Sequence, residues 1–464
     1  MIPRILTLLF LLPLQSAAAE PALTVGFAEV DVTPKLGDKP VFMAGFGHDR
    51  VAKKIHDPIV ARAIVLSDGK KKIALVCVDV VGLFLPTVES IRKELTGFDY
   101  VMVSSTHNHE GPDTLGLWGS NPFKSGVDAE YMKLVVAGVV KAAKDADKAQ
   151  LPATAHIGTA AGPELLNDNR KPEVKHDTLV AIRFDPIGKK DKKPLGVLVQ
   201  WNVHPELLGS KNTEISADHV GYTVKHVSEK HGCPVAYFTG TVGGLMTSLD
   251  VPLVGKDGKL LADDTFEKTA AYGLAVGKLT DTALGKTVPL SLTPFDLRIQ
   301  PVLLPVDNNL YKLAWTAGVL KRNMYLWEKN ATPKEFREAT DVTKPVAVKT
   351  EVGYLKLGEL EVAAIPGEIY PELVLGKVQD PVDPGADFPD APIEPAIYTS
   401  LGKHRMIVGL ANDEIGYIIP KRQWDEKPPY CYGLKKSQYG EINSCGPDVA
   451  PILCTTFRDL VKKK

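Results

Sequence analysis

The stretch from Ile59 to Asp113 most narrows what this chain can fold into. "IVARAIVLS" and "KIALVCVD" are apolar runs rich in β-branched residues, and Asp68-Gly69 between them reads as a turn, so the spacing predicts strands over 59–67 and 72–79. "TVESIRKELTG" then switches to helical spacing with Gly97 as its stop, and "YVMVSSTHNH" returns to strand. The alternation persists. "DAEYMKLVVAGVVKAAKDAD" is the clearest amphipathic helix, "ATAHIGTAAG", "TLVAIRFD" and "LGVLVQWNVHP" read as strands, and "DHVGYTVKHVSEKHG" as a helix before the strand "VAYFTG". Beyond Asp250 we expect a long helix, an extended run through "LTPFDLRIQPVLLPVD", a helix at "NNLYKLAWTAG" and paired strands in "VAVKTEVGYLKLGELEVAAIPGE". The chain is then expected to close through "MIVGLANDEIGYIIP" into a Pro/Gly-rich loop. Interleaved β and α elements predict an α/β fold with mixed sheets flanked by helices. No linker-like stretch divides the 464 residues, so one large domain over 20–464 is expected.

Charge excludes one class of partner. There are 55 Lys+Arg against 56 Asp+Glu, for a formal net charge of -1, and no basic excess marks a nucleic-acid surface. The first residues, "MIPRILTLLFLLPLQSAAAEP", combine one positive charge at Arg4, an apolar run from Ile5 to Leu14 and small residues at Ala17 and Ala19. That pattern predicts a cleaved secretory signal over 1–19 and a secreted or periplasmic protein, with at most peripheral membrane contact. Of the five cysteines, Cys77 sits in an apolar run and reads as a buried small hydrophobe, and Cys431, Cys445 and Cys454 cluster near the C-terminus. One disulfide, Cys431 to Cys445, is expected in an oxidising compartment. No C-x-x-C pair offers a thiolate metal site.

Four places put a titratable side chain at the end of an apolar strand, where α/β proteins gather their sites. They are His107 and His109 in "STHNHEGPD", His204 in "QWNVHPELLG", Glu368 in "VAAIPGEIYPE" and Tyr417 in "LANDEIGYIIP". If the strand continues through the histidine pair, both rings point into one cleft. Read alone, each also fits a bland role: a hydrogen-bonded histidine, a turn carboxylate, a core tyrosine. No H-E-x-x-H, G-x-S-x-G or Walker pattern is present.

Seven stretches in order are more specific. "IHDPIVARAIVLSDG", "VSSTHNHEGPD", "NDNRKP", "WNVHPELLG", "ISADHVGYTVKHVSE", "PGE" and "NDEIGYIIP" resemble the catalytic domain of the neutral/alkaline (non-lysosomal) ceramidases, zinc-dependent amidases. The resemblance runs from about Val25 to about Tyr432. It implies a Zn2+ ion held by His107, His204, Glu368 and Tyr417, with a zinc-activated water attacking the amide carbonyl. It further implies that His109 contacts the substrate or its oxyanion, that Arg170 faces the scissile carbonyl, and that a further tyrosine falls near Tyr430. The expected substrate is a small N-acyl compound, with a ceramide-like lipid leading. A catalytically silent lipid- or glycan-binding relative, or a zinc hydrolase of non-lipid amides or esters, are the alternatives.

Three departures bear on specificity. Family members follow the catalytic domain with an immunoglobulin-like one, and this sequence ends a few dozen residues after "GYIIP", as a short member would. Gly244 in "TGTVGGLMTS" stands where the family has Asp. Glu110 replaces a small residue beside the histidine pair, either facing a polar substrate or pointing to solvent. "TLGLWGSNPF" offers Leu115, Leu117, Trp118 and Phe123 either as pocket walls or as loop anchors.

Overall fold

A computed structural model of the chain describes residues 23–188 and 193–463. The expected leader over 1–19 lies outside them. The largest sheet has nine strands. Eight run in spatial order Val235–Thr239, Gly196–Trp201, Thr178–Pro186, Leu151–Ala161, Thr24–Asp31, Val60–Ser67, Lys72–Val78 and Tyr100–Ser105, and Val288–Leu290 joins beside Leu151–Ala161. The expected hairpin pairs antiparallel with Ser67 opposite Lys72, while both ends of the order are parallel pairs. A second sheet orders Phe295–Pro305, Val346–Leu357, Leu360–Ala364 and His404–Val408, with Met324–Leu326 added on Val346–Leu357. The fold is thus mixed α/β, as expected.

The two sheets pack face to face. Ile64, Leu75, Phe184 and Phe238 from the first bury against Leu355, Val362 and Met406 from the second. Helices Leu85–Glu94 and Ala129–Lys148 cover one part of the large sheet's outer face, and Asp218–His231 and Phe266–Leu284 another. The apolar spacing of the second of these (Tyr131, Val135, Val139, Ala142, Ala146) explains its face, and Asp128 caps it by accepting from Glu130 N and Tyr131 N. The smaller sheet is covered by a helix absent from the sequence reading, Val449–Lys462. Its buried positions Val449, Leu453, Phe457 and Leu460 keep helical spacing, but the preceding Pro/Gly-rich loop masks it.

The architecture brings strand ends together. Thr239 Oγ1 donates to Thr106 O at 2.9 Å, Gly409 N to Thr239 O at 3.0 Å, and Asn412 N to Val103 O at 2.7 Å. The C-terminal ends of Tyr100–Ser105, Val235–Thr239 and His404–Val408 therefore meet at one place.

Helix Asp218–His231 carries an exposed consequence of burial. Asp218 is buried, and its Oδ2 has no partner. Burial, with Glu206 and Asp57 nearby, pushes its carboxyl up to about 7. The unfolded chain loses that proton above about pH 4 while the folded chain keeps it. The stabilisation is therefore full below about pH 4, declines as pH rises, and is gone above about pH 7. Asp218→Asn should raise the melting temperature at pH 8 and change it little at pH 4, measured by thermal melts across that range.

Candidate active site

The strand does not run through the histidine pair. It ends at Ser105, and His107 takes a left-handed conformation, φ 68°. Both rings still reach one cleft, through a turn rather than by strand alternation. That turn is tied down on each side: Asn108 Nδ2 donates to Ser216 O at 2.7 Å, and His109 N donates to Pro205 O at 3.0 Å. The second bond splices "THNH" onto "WNVHPE".

His107 and His204 are oriented alike. Nδ1 of His107 bonds Val81 O at 2.7 Å, and Nδ1 of His204 bonds Met246 O at 2.8 Å. A backbone carbonyl on Nδ1 requires the proton there, leaving the Nε2 lone pairs free to ligate. Met246 lies in the "TGTVGGLMTS" turn, so the turn supports His204 with Gly244 in the aspartate's place. Glu368 and Tyr417 are register partners in a short parallel pair, Glu368–Ile369 on Tyr417–Ile418. Glu368 Oε2 lies 3.2 Å from His107 Nε2 and 3.0 Å from His204 Nε2, and the Tyr417 hydroxyl is 3.5 Å from His204 Nε2. All four expected ligands converge.

His109 stands to one side. Its ring centroid is 4.9 Å from that of His107 and 5.7 Å from that of His204. Both of its nitrogens lack hydrogen-bond partners, and Nδ1 is 3.6 Å from Glu206, beyond bonding reach. Gly45, at φ 97°, passes so close that a Cβ there would lie 2.3 Å from His109 Cγ.

Electrostatics separate the histidines. Burial pushes all three down, but Glu368 at His107, and Glu368 together with Glu206 at His204, lead the opposing effects and the net shift of both is upward. For His109, burial and the two other rings act together and hold it well below the usual range, so it is neutral. Burial would raise Glu368, yet its two histidine partners draw it well below the carboxylate range. Burial and Glu368 push the Tyr417 phenol well up.

The residues present fit a metal. The three buried histidines place their nitrogens within 4.8 Å of one another. Glu368 touches two of them, so His107, His204 and Glu368, with Tyr417 alongside, form the tighter donor set, and His109 keeps both nitrogens for something else. Two imidazoles and a carboxylate suit a divalent first-row ion.

Four sequence expectations change. Arg170 is buried with its guanidinium engaged by Glu441 at 2.8 and 2.7 Å, Tyr439 O at 2.8 Å and Gln423 O at 3.0 Å. It is not on the cavity wall. It positions the Tyr439 segment rather than facing a substrate carbonyl. Tyr430 packs its backbone on Gly385, away from the cavity, and Tyr439 lines the cavity instead, its ring 5.8 Å from that of Tyr417. Spacing alone could not separate Tyr430, Tyr432 and Tyr439 in a loop of this length. Glu110 points neither to solvent nor into the site: it is buried against Arg50 at 3.1 Å and Asn212 at 2.7 Å. All five cysteines are free: Cys431 sits in a turn whose N–H bonds Asp425, and Cys445 donates its thiol to Ile415 O at 3.3 Å.

Besides Tyr439, a second cavity residue escaped the sequence reading. Glu414, in "NDEIGYIIP", is buried on the cavity wall, accepting from Gly416 N at 2.6 Å with Oε2 unpartnered. Burial, then Glu368, pushes its carboxyl well above the usual range, which makes it a neutral polar point in an apolar wall.

The cleft opens into a cavity of about 550 Å³. Leu115, Leu117, Trp118 and Phe123 line it, joined at depth by Leu320 and Met324. Its size suits a small organic ligand with apolar bulk. A metal-competent cluster at the C-terminal ends of strands thus opens on an apolar cavity. The chain matches, over residues 23–247, the family model for neutral/alkaline non-lysosomal ceramidase, N-terminal. Its fold is shared with the neutral ceramidase from Pseudomonas aeruginosa, at TM-score 0.70 and 16% identity over 95% of this chain and 74% of that one. It is also shared with a ceramidase complexed with C2, at TM-score 0.69 and 15% identity over 95% and 75%.

Proposed function

We propose that the chain is an exported zinc amidase that hydrolyses the linear amide of an N-acyl lipid, with a ceramide-like compound as the leading substrate. The observation that carries this reading is the convergence of His107 Nε2, His204 Nε2 and Glu368 Oε2 within 3.2 Å contacts at the buried wall of an apolar cavity. The match of residues 23–247 to the ceramidase family model supports the amidase class. The leader-like sequence before Leu23 supports export.

Bound to His107, His204, Glu368 and Tyr417, zinc would supply a water of lowered pKa and polarise the amide carbonyl. The protein's own groups do the remainder. His109, neutral and free at both nitrogens, can donate one hydrogen bond to the developing oxyanion, and the Tyr439 phenol can donate another. Each such donor is typically worth about 3 kcal/mol. Arg170 holds Tyr439 in place through its backbone carbonyl. The apolar walls exclude water and seat the chain of the substrate, burying about 0.8 kcal/mol per methylene.

The reading is tested by metal analysis of the purified protein, followed by hydrolysis of N-acyl sphingosines of increasing acyl length. It expects one zinc per chain, activity lost on chelation and restored by zinc, and kcat/KM that rises with acyl length. Metal-free protein, or equal rates on simple amides and esters without a chain, would overturn it. Within that assay, Tyr439→Phe should lower kcat about a hundredfold with zinc retained, whereas Tyr430→Phe should leave kcat within about twofold.

A further inference from the structure

The mouth of the cavity is ringed by apolar side chains that face water. Phe123 is 64% exposed, Leu310 53%, Leu313 52% and Ile442 56%, and all four also line the cavity. They come from three separate segments: the loop after "TLGLW", helix Asn309–Thr316 and the turn Glu441–Asn443. Leu310 and Leu313, three apart, share one helix face. The segments are fastened to one another, since Asn308 caps the helix with Oδ1 and donates from Nδ2 to Ile442 O at 2.8 Å. Gly116, at φ 105°, lets the loop pass against Val319 O, which a Cβ would approach to 2.3 Å. The ring is built in, and it covers no core.

Charge says what the ring meets. The chain as a whole is near neutral, at -1. The three mouth segments and their flanks nonetheless carry Lys124, Lys312, Lys321, Lys435 and Lys436, none in an ion pair among the described residues. Carboxylates are fewer over the same stretches: Glu441 is occupied by Arg170, Asp128 caps a helix, and Asp307 is the third. Exposed apolar side chains beside unpaired lysines are the composition of an interfacial membrane-binding surface. No helix among the described residues is long and apolar enough to cross a membrane, so such contact would be peripheral.

We infer that this ring is a docking surface for an anionic lipid bilayer, seated so that Phe123, Leu310, Leu313 and Ile442 enter the acyl boundary and the cavity opens directly onto the lipid. The inference rests on reading the cavity as a lipid-substrate site, because it supplies the route by which an insoluble chain enters without crossing water. The lysines face the headgroups, each adding attraction that salt screens.

The test uses vesicles without substrate, so its outcome is independent of turnover on N-acyl compounds. Protein with its N-terminus confirmed by mass spectrometry, so that residues 1–22 are accounted for, is sedimented with phosphatidylcholine vesicles and with mixed phosphatidylcholine/phosphatidylglycerol vesicles. The expected result is stronger binding to the anionic mixture and weakening by about 0.5 M salt, which shortens the Debye length to about 4 Å. Leu310→Asp/Leu313→Asp should cut the partition coefficient at least about tenfold, and Lys124→Glu/Lys435→Glu/Lys436→Glu should abolish the anionic preference. Hydrogen exchange on the unmodified protein, independent of any variant's folding, should show vesicle protection at 118–127, 309–316 and 434–443. Absence of vesicle binding, protection elsewhere, or equal binding by the leucine variant would overturn the inference. So would concentration-dependent dimerisation that the leucine variant abolishes, since a second copy would then own the surface.

Discussion

His107→Ala is expected to lose bound metal and amidase activity together, with kcat/KM falling at least about a thousandfold. The expectation follows from geometry. His107 Nε2 and His204 Nε2 flank one carboxylate oxygen of Glu368, and each imidazole is locked by a carbonyl on Nδ1. Removing one ring leaves a single nitrogen and a carboxylate, too few strong donors to hold a catalytic ion against water. Loss of water activation and carbonyl polarisation together is worth about 4 kcal/mol or more, hence the thousandfold figure. Metal analysis and kinetics on the same preparation check it. Metal at full occupancy in the variant would place the ion on a donor set that does not include His107.

Glu110→Ala is expected to be among the most damaging single changes to stability, about 3–5 kcal/mol. Glu110 is buried and receives Arg50 Nη1 at 3.1 Å and Asn212 Nδ2 at 2.7 Å. Burial pulls the Arg50 guanidinium down and pushes the Glu110 carboxyl well up, so each depends on the other to stay charged. Arg50 also donates to the carbonyls of Ala44 and His109 and to Gly209 O at 3.3 Å. Truncating Glu110 strands that charge inside the protein and loosens the backbone that carries His109. Denaturant melts should show the loss, with Glu110→Gln intermediate because it keeps one acceptor for Arg50. Activity should fall with bound metal retained, since neither histidine ligand touches Glu110. Unchanged melts would show that Arg50 finds water instead.

Much of this was legible before the structure. Turn chemistry at Asp68-Gly69 and the spacing of residues 129–148 announced a hairpin and a helix because local rules decide them. The ligand set was legible only as a set: each of His107, His204, Glu368 and Tyr417 alone fits a structural role, and the ordered motifs joined them. What escaped depends on long-range packing. The left-handed turn at His107 is imposed by Asn108 and Pro205 O, contacts that the local sequence does not encode. Arg170 was assigned to substrate because its partner Glu441 lies 271 positions away. Tyr439 was missed because loop length between Tyr417 and the cavity wall is free to vary. Glu110 read as facing either a polar substrate or solvent because an acidic side chain in a loop is usually accessible, and only Arg50, from a different segment, makes its burial tolerable.

The central claim is that one zinc ion sits among His107, His204, Glu368 and Tyr417 at the buried wall of the apolar cavity. Anomalous diffraction collected on either side of the zinc absorption edge, from crystals grown without added metal, tests it most directly. The account predicts a single strong peak in bonding reach of His107 Nε2, His204 Nε2, a Glu368 oxygen and the Tyr417 hydroxyl, with the His109 ring unligated. A cleft without a peak, or a peak whose third nitrogen ligand is His109 and which leaves Tyr417 apart, would contradict it.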